Sequence, residues 1–361
     1  MPRIRATEAE PLHRRDRGAA TAAEGDGILP AVNDTTKSIY IYSPCSAVRD
    51  RAAFRRGVAR LKTLGYEVEV DASALETHQR FAGDDATRIA AITRAAASGA
   101  DIALISRGGY GLTRILDGLP YKAIAKAIER GTAFVGLSDF TAFQQAVLQK
   151  TGAITWSGPS VGEDFGSNAE GGPDEIMEDC FHDLAEGRGE GTGWRLSPRD
   201  AALPPPKTIS GATLWGGNLS VLTALLGTPY LPSIEKGVLF LEDVNEHPFR
   251  VERMLEQWRL AGVLGRQKAI VLGQFTGARK VPHDRGFGLR TVVDRLRSQL
   301  KVPVLTGLPF GHVPTKVLLP VGAKVDLAVE GRDALIVWGH LNSGTSEAVG
   351  HGHAHGHRHQ H

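Results

Sequence analysis

Between residues 38 and 136, short apolar segments alternate with segments of helical periodicity, and this order constrains the fold more than any other feature. A strand is predicted at 38–43, and a helix follows at 51–64 and ends at Gly65. The order repeats, with strands predicted at 66–70, 102–105 and 133–136 and helices at 85–97 and 121–130. Such alternation indicates a parallel sheet covered on both faces, with ligands beyond the carboxyl ends of its strands. The sequence therefore predicts an α/β, doubly wound amino-terminal domain.

The rest of the chain predicts a second domain. A length of 361 residues exceeds the usual size of a single core, so about two domains are expected. Residues 166–209 are rich in Gly, Asp and Pro and predict a linker. We therefore expect the α/β domain at 37–165 and a second, β-rich carboxyl-terminal domain at 210–340. Residues 1–36 lack periodicity and predict a flexible extension, and 341–361 predict a flexible His-rich tail.

Charge and hydropathy exclude several classes of partner. Lys and Arg number 42 against 40 Asp and Glu, and no basic stripe interleaved with aromatic residues occurs, so nucleic acid is not expected as a partner. No run of about 18 apolar residues predicts a membrane span. The first 36 residues also lack the apolar stretch of a secretory signal. These observations predict a cytoplasmic location without membrane association.

Metal and disulfide chemistry have little support in the body of the chain. Cys45 and Cys180 do not suggest a disulfide framework, and neither H-E-x-x-H nor paired Cys or His spacing occurs before the tail. Six histidines alternate with other residues in 351–361. Such a tract binds divalent metal opportunistically through its imidazoles, or is only a solvated tail. We expect a metal-free protein without a cofactor.

Ser138 follows a strand of small and apolar residues and precedes a segment with helical periodicity. A serine between a strand and a helix is presented on a sharp turn, where the next amide and the positive end of the helix face an oxyanion. The alternative is that Ser138 only caps the helix, because Ser is among the commonest N-cap residues. Local sequence leaves both interpretations open.

A nucleophilic serine needs a base and a group that orients the base. His312 lies in the loop Gly307-Leu-Pro-Phe-Gly-His-Val-Pro314, which is too rich in Gly and Pro for a helix or central strand. Glu242 ends an apolar strand, where a carboxylate needs a partner or water. His312 could equally be a surface histidine, and Glu242 could pair with Arg250 or Arg253.

Six motifs together bring in a family resemblance. They are Phe81-Ala-Gly-Asp-Asp85 with Arg88, Ser106-Arg-Gly-Gly-Tyr-Gly111 with Arg114, Gly136-Leu-Ser-Asp139, Gly216-Gly-Asn-Leu219, Leu241-Glu-Asp-Val-Asn-Glu-His-Pro-Phe-Arg-Val-Glu-Arg253 and Pro309-Phe-Gly-His312. With these motifs in this order over about residues 38–340, the chain resembles the L,D-carboxypeptidases of the muramoyltetrapeptide type. This family of serine peptidases includes the microcin C self-immunity proteins.

The resemblance implies the roles of individual residues. It implies a catalytic triad of Ser138, Glu242 and His312 at a domain interface, with the Asp139 amide and that of Gly108 or Gly109 as oxyanion donors. A carboxypeptidase must also hold a free carboxylate, for which Arg107 is a weaker candidate, because it could equally be a structural partner of an acidic side chain. Tyr110 is a second weak candidate for substrate binding. One departure is Ser157, which stands where the family usually has the His of a His-Gly-Pro element, and this leaves substrate contacts there open.

The resemblance also implies a reaction and its alternatives. The expected activity is release of the terminal D-alanine from a muropeptide tetrapeptide in peptidoglycan recycling, by an enzyme that is usually a homodimer in this family. The alternative within the family is hydrolysis of an aminoacyl-nucleotide antibiotic of the microcin C type. A catalytically silent ligand-binding or metal-storing protein is a third hypothesis, suggested by the His-rich tail.

Overall fold

The structure is a computed structural model that describes residues 36–279 and 281–341. The described residues form one compact unit that begins at Thr36 and contains two β-sheets. The predicted extension before Thr36 and the His-rich tail after Leu341 lie outside the described residues.

The first sheet has six strands in the order β11-β5-β4-β3-β1-β2. Its strands are β1 Ser38–Tyr42, β2 Glu67–Val70, β3 Ile102–Ile105, β4 Ala133–Gly136, β5 Thr155–Ser157 and β11 Leu319–Val321. Strands β1 to β5 run parallel, and β11 pairs antiparallel with β5.

Helices cover both faces of this sheet. They are α1 Arg51–Thr63, α2 Asp85–Ala97, α3 Tyr121–Glu129, α4 Phe140–Thr151 and, further along the chain, α5 Glu175–Glu186. Side chains alternate along β1, so that Ile39 and Ile41 share a buried cluster with Phe54 of α1. Tyr40 and Tyr42 belong to the cluster on the other face, which contains residues of α2, α3 and α4. The predicted parallel, doubly wound α/β architecture is therefore confirmed.

The second sheet has seven strands in the order β10-β9-β8-β7-β12-β13-β6. Its strands are β6 Gly191–Arg195, β7 Ile209–Asn218, β8 Val238–Val244, β9 Ala269–Thr276, β10 Val304–Thr306, β12 Lys324–Glu330 and β13 Asp333–Val337. Strands β7 to β10 are parallel, and β12, β13 and β6 add antiparallel pairs. Its helices are α6 Pro198–Ala201, α7 Leu219–Leu225, α8 Pro248–Leu260 and α9 Leu289–Gln299. The expected β-rich second region is confirmed.

Two strands lie outside the sequence ranges expected for their sheets. The expected linker at 166–209 contains α5, α6 and β6, and β6 forms the edge of the second sheet against β13. Strand β11 comes from the carboxyl-terminal half of the chain but pairs with β5 of the first sheet. Strand pairing depends on distant partners, so the Gly- and Pro-rich composition of 166–209 did not reveal β6, and the local sequence did not predict that β11 joins the first sheet. Among the described residues, no helix has the length and apolar character needed to cross a membrane.

Candidate active site

Ser138 lies in the short connection between β4 and α4, in a conformation that a serine rarely adopts. Its φ angle is +64°, in the left-handed region where non-glycine residues are uncommon. The residue at the N-cap of α4 is Asp139, so Ser138 is not the helix cap. Gly136 allows the tight turn, because a Cβ there would lie 2.7 Å from Ile105 and 2.8 Å from Phe140. The turn presents Ser138, partly exposed, at the carboxyl end of a parallel strand.

The loop after β3 closely approaches this serine. A Cβ on Gly108 would lie 2.6 Å from the Ser138 Cβ, so only glycine fits there. Within the described part of the chain, the backbone amides of Gly108, Gly109 and Asp139 donate no hydrogen bond. Amides that lack an acceptor beside a serine can stabilise negative charge on a substrate oxygen.

Glu242 and His312 form a hydrogen-bonded pair that belongs to the second sheet. Glu242 is fully buried in β8, and its Oε2 lies 2.8 Å from Nδ1 of His312. Its Oε1 accepts a hydrogen bond of 3.1 Å from the side-chain amide of Asn218. Because the carboxylate accepts the proton on Nδ1, the neutral imidazole carries its lone pair on Nε2. This arrangement orients a base through a buried acid.

The electrostatic surroundings favour the protonated form of His312. Burial lowers its pKa, but the hydrogen bond and charge of Glu242, together with the charge of Glu163, outweigh burial and raise the pKa above the usual 6.5. Lys316 opposes this rise. Because Glu242 stabilises the imidazolium, it lowers the free energy of the state that forms when His312 takes a proton.

Helix α4, which follows Ser138, is hydrogen-bonded to the second sheet. Thr141 accepts a hydrogen bond of 3.0 Å from the Asn218 amide, and Gln145 donates one of 2.9 Å to the Gly216 carbonyl. A Cβ on Gly217 would lie 2.5 Å from the Thr141 hydroxyl, so this approach requires glycine. Asn218 therefore contacts both the helix behind the serine and the buried Glu242.

A cavity of about 250 Å³ lies beside the histidine, and Leu137 and His312 both line it. Its wall also contains Lys316, which is buried and forms an ion pair with Asp164. The serine that follows Leu137 and the Glu242–His312 pair are thus brought to the same part of the molecule. No role was predicted for Asn218, Thr141, Asp164 or Lys316, and of these four only Asn218 lies in one of the six motifs.

The two weaker candidates for substrate binding lie on the same loop as Gly108. Arg107 is 3.2 Å from Glu163 and also donates to the Ala47 carbonyl at 3.3 Å, so its guanidinium already has partners. Tyr110 is exposed and packs on Phe81. Ser157 is buried in β5 and hydrogen-bonds to Gln144 at 3.1 Å. Among residues 36–279 and 281–341, no three His, Cys, Asp or Glu side chains form a group that could hold a metal ion.

Comparison with known protein families matches both halves of the chain. Residues 39–158 match the LD-carboxypeptidase N-terminal domain, and residues 211–327 match the LD-carboxypeptidase C-terminal domain. Together the two matches cover more than half of the chain. The protein belongs to the LD-carboxypeptidase family. It is a serine-type carboxypeptidase, as the resemblance of its motifs indicated.

Individual relatives agree with this assignment. The crystal structure of muramoyltetrapeptide carboxypeptidase from Oxalobacter formigenes is 37% identical, with a TM-score of 0.74, over 84% of this chain and 99% of that one. The "Probable murein peptide carboxypeptidase" of Bacillus subtilis is 28% identical over 76% of this chain and 84% of its own length. The microcin C7 self-immunity protein of Escherichia coli is 24% identical over 65% of this chain and 73% of its own length.

Proposed function

We propose that this enzyme releases the terminal D-alanine from a muropeptide tetrapeptide, with Ser138 as nucleophile, His312 as base and Glu242 as the group that orients and charge-stabilises the imidazole. The observation that carries the proposal is the 2.8 Å contact between Glu242 and His312, beside a cavity that His312 shares with the neighbour of the strained Ser138. A serine, a base and a buried acid are the components of acyl transfer through a covalent intermediate.

In the proposed first step, Nε2 of His312 takes the proton of the Ser138 hydroxyl as its oxygen attacks the carbonyl carbon before D-alanine. The amide of Asp139 and that of Gly108 or Gly109 stabilise the oxyanion. His312 then donates the proton to the leaving amine, and D-alanine departs. Water hydrolyses the acyl-enzyme with His312 again as base, which leaves the tripeptide for reuse in peptidoglycan recycling.

Binding of the free carboxylate of D-alanine needs a cation or a group of amides. We propose Arg107 for this role, because it adjoins Gly108 in the chain and keeps part of its side chain exposed. Tyr110, exposed on the same loop, would contact the remainder of the peptide. A substrate carboxylate would share the guanidinium of Arg107 with Glu163 or displace Glu163 from it. Because this contact binds the substrate and does not take part in the chemical step, Arg107→Met should raise KM more than it lowers kcat.

The test compares two substrates with purified protein: a muropeptide tetrapeptide and an aminoacyl-sulfamoyl nucleotide. We expect D-alanine release that is unaffected by chelator and abolished in Ser138→Ala. The higher identity to the muramoyltetrapeptide enzyme than to the immunity protein supports the first substrate. Turnover of the nucleotide alone would overturn this proposal and favour the immunity-type activity.

A further inference from the structure

One peptide bond in the loop beside Ser138 is held from both sides by buried charged side chains. The carbonyl of Gly111 accepts a hydrogen bond of 2.8 Å from Nη1 of Arg88, and the next amide, that of Leu112, donates one of 2.9 Å to Oδ2 of Asp139. This carbonyl and this N–H belong to the same planar peptide unit. Arg88 and Asp139 therefore fix both its position and its orientation.

The close packing around this peptide depends on glycine. Gly111 has a φ angle of +143°, and a Cβ there would lie 2.5 Å from Nη1 of Arg88. Arg88 also donates to the Pro44 carbonyl at 3.3 Å, so its guanidinium joins the Gly111 peptide to the turn after β1. The middle of the loop has its own attachment, since Ser46 accepts a hydrogen bond of 2.9 Å from the Tyr110 amide.

The side chain of Asp139 does not cap the helix at whose N-terminus it lies. It occupies the N-cap of α4, yet its side chain caps no amide of that helix and is directed to Leu112 instead. Burial raises the pKa of Asp139, while the Leu112 amide, the Cys45 thiol and the charge of Arg88 oppose that rise. Arg88 is fully buried, and it also pairs with Asp85. Buried charges carry a large desolvation cost. A loop with no special role could be held by apolar contacts, which do not have this cost.

Asp139 links this clamp directly to the proposed chemistry. Its backbone amide is one proposed oxyanion donor, and its side chain holds the loop that carries the other, Gly108 or Gly109. We propose that Arg88 and Asp139 are positioning residues that set the separation of the two oxyanion donors by clamping the Gly111–Leu112 peptide. The inference rests on the proposed function, because it assumes that these amides act on a substrate bound at Ser138.

Helix α2, which contains Arg88, forms a second ion pair that provides a matched control. Arg94 of α2 pairs with Asp71, which is buried to a similar extent as Asp139 but hydrogen-bonds to Tyr40 and Ser73 and does not contact the serine or its loops. Asp71→Ala therefore removes a buried carboxylate of the same type and leaves the clamp intact. A loss of rate that Asp71→Ala and Asp139→Ala share would reflect reduced stability. A loss of rate confined to Asp139→Ala would reflect the positioning of the oxyanion donors.

The experiment measures the rate constant at which a fluorophosphonate probe labels Ser138, located by mass spectrometry, alongside kcat and KM for D-alanine release. Labelling forms a tetrahedral adduct at the serine and does not require that the natural substrate is known. We expect Asp139→Ala to slow labelling and kcat by roughly 10- to 100-fold, somewhat less than the loss of a whole oxyanion donor, with KM changed by less than about twofold. Asp139→Asn retains an acceptor for Leu112 and should recover much of the rate.

Arg88→Lys provides an independent test, because an ammonium group cannot reproduce the fork that contacts Gly111 and Pro44. It should slow labelling about tenfold, while Asp71→Ala labels at the wild-type rate despite a lower melting temperature. Labelling within about twofold of wild type in Arg88→Lys or in a folded Asp139→Ala, or an equal loss in Asp71→Ala, would overturn the clamp. Wild-type labelling without D-alanine release would instead overturn the proposed substrate and leave the clamp standing.

Discussion

The two sheets contribute different physical resources to the candidate site. The first supplies backbone: a serine held at a φ angle of +64° and, among the described residues, amides without acceptors in the loops that follow β3 and β4. The second supplies charge: a fully buried glutamate and a histidine whose pKa lies above its usual value. Neither set is sufficient, because a strained serine without a base is a weak nucleophile and a Glu–His pair alone has nothing to activate.

The comparison also shows where the two contributions are joined. Helix α4 is attached to the end of β7 because Thr141 accepts a hydrogen bond from the Asn218 backbone amide and Gln145 donates one to the Gly216 carbonyl. The side chain of Asn218 continues this network to Glu242. A buried ion pair between Asp164 and Lys316 ties the segment that follows His312 to the short helical segment Val161–Phe165 after β5. The two sheets are thus connected beside the site by polar contacts, in addition to the buried apolar cluster that Leu137 shares with Phe240.

The largest expected effect comes from removing the base that the second sheet supplies. His312→Ala should lower kcat by about 10⁴- to 10⁶-fold, because the Ser138 hydroxyl then has no group to take its proton. Steady-state D-alanine release measures the effect. His182→Ala, at an exposed histidine that contacts Tyr66, is the control and should retain full activity. Equal activities of the two variants would remove His312 from the mechanism.

The buried charge is tested by Glu242→Gln, which should lower kcat by about 10²- to 10⁴-fold. In the proposed mechanism the neutral imidazole is the base, so kcat/KM of the wild type should rise with pH through the raised pKa of His312. Without the negative charge of Glu242, burial again lowers this pKa, and the acid limb of the profile should move to lower pH. Profiles of kcat/KM against pH measure the shift. An acid limb at the same pH in both proteins would show that Glu242 does not raise the pKa of His312.

The connection between the sheets is tested by Lys316→Met. This change leaves the Asp164 carboxylate buried without its cation and should reduce the free energy of unfolding by about 3–5 kcal/mol. Urea denaturation followed by circular dichroism measures the loss. The double variant Asp164→Asn/Lys316→Met removes both charges, keeps an acceptor for the buried Ser160 amide and should recover most of this loss. A single variant as stable as wild type would mean that the pair contributes nothing to the connection.

The smallest effect concerns the strained backbone of the first sheet. Ser138→Gly and Ser138→Ala should be equally inactive, but the glycine variant should be more stable by about 1 kcal/mol, because only alanine carries a Cβ in the left-handed region. Thermal denaturation of the two variants gives the difference directly. Equal stabilities would indicate that the turn stores no strain.

The same contrast explains which features the sequence could predict. Elements of the first sheet follow local periodicity, so the predicted helix at 85–97 and strand at 102–105 coincide with α2 and β3. The turn at Ser138 was also visible locally, as a strand followed at once by a helix. Helix α8 begins at Pro248, because proline fits the first helical turn and His247 occupies the N-cap.

Contacts between distant segments could not be predicted in this way. Glu242 and His312 are 70 residues apart, and Asp164 and Lys316 are 152 apart. Local periodicity contains no information on which loop meets which strand end. Local sequence therefore left Glu242 and His312 as open candidates, and the combined motifs predicted their roles. Strand β6 was missed, and β11 was not assigned to the first sheet, for the same reason, since their partners lie far along the chain.

The most direct test of the account is whether Ser138 and His312 act as one unit. The measurement is kcat for D-alanine release in Ser138→Ala, in His312→Ala and in the double variant. The account predicts that the double variant is no slower than either single variant, because the loss of one member already removes the function of the other. Losses that multiply in the double variant would show two independent contributions and would contradict a site assembled from both sheets.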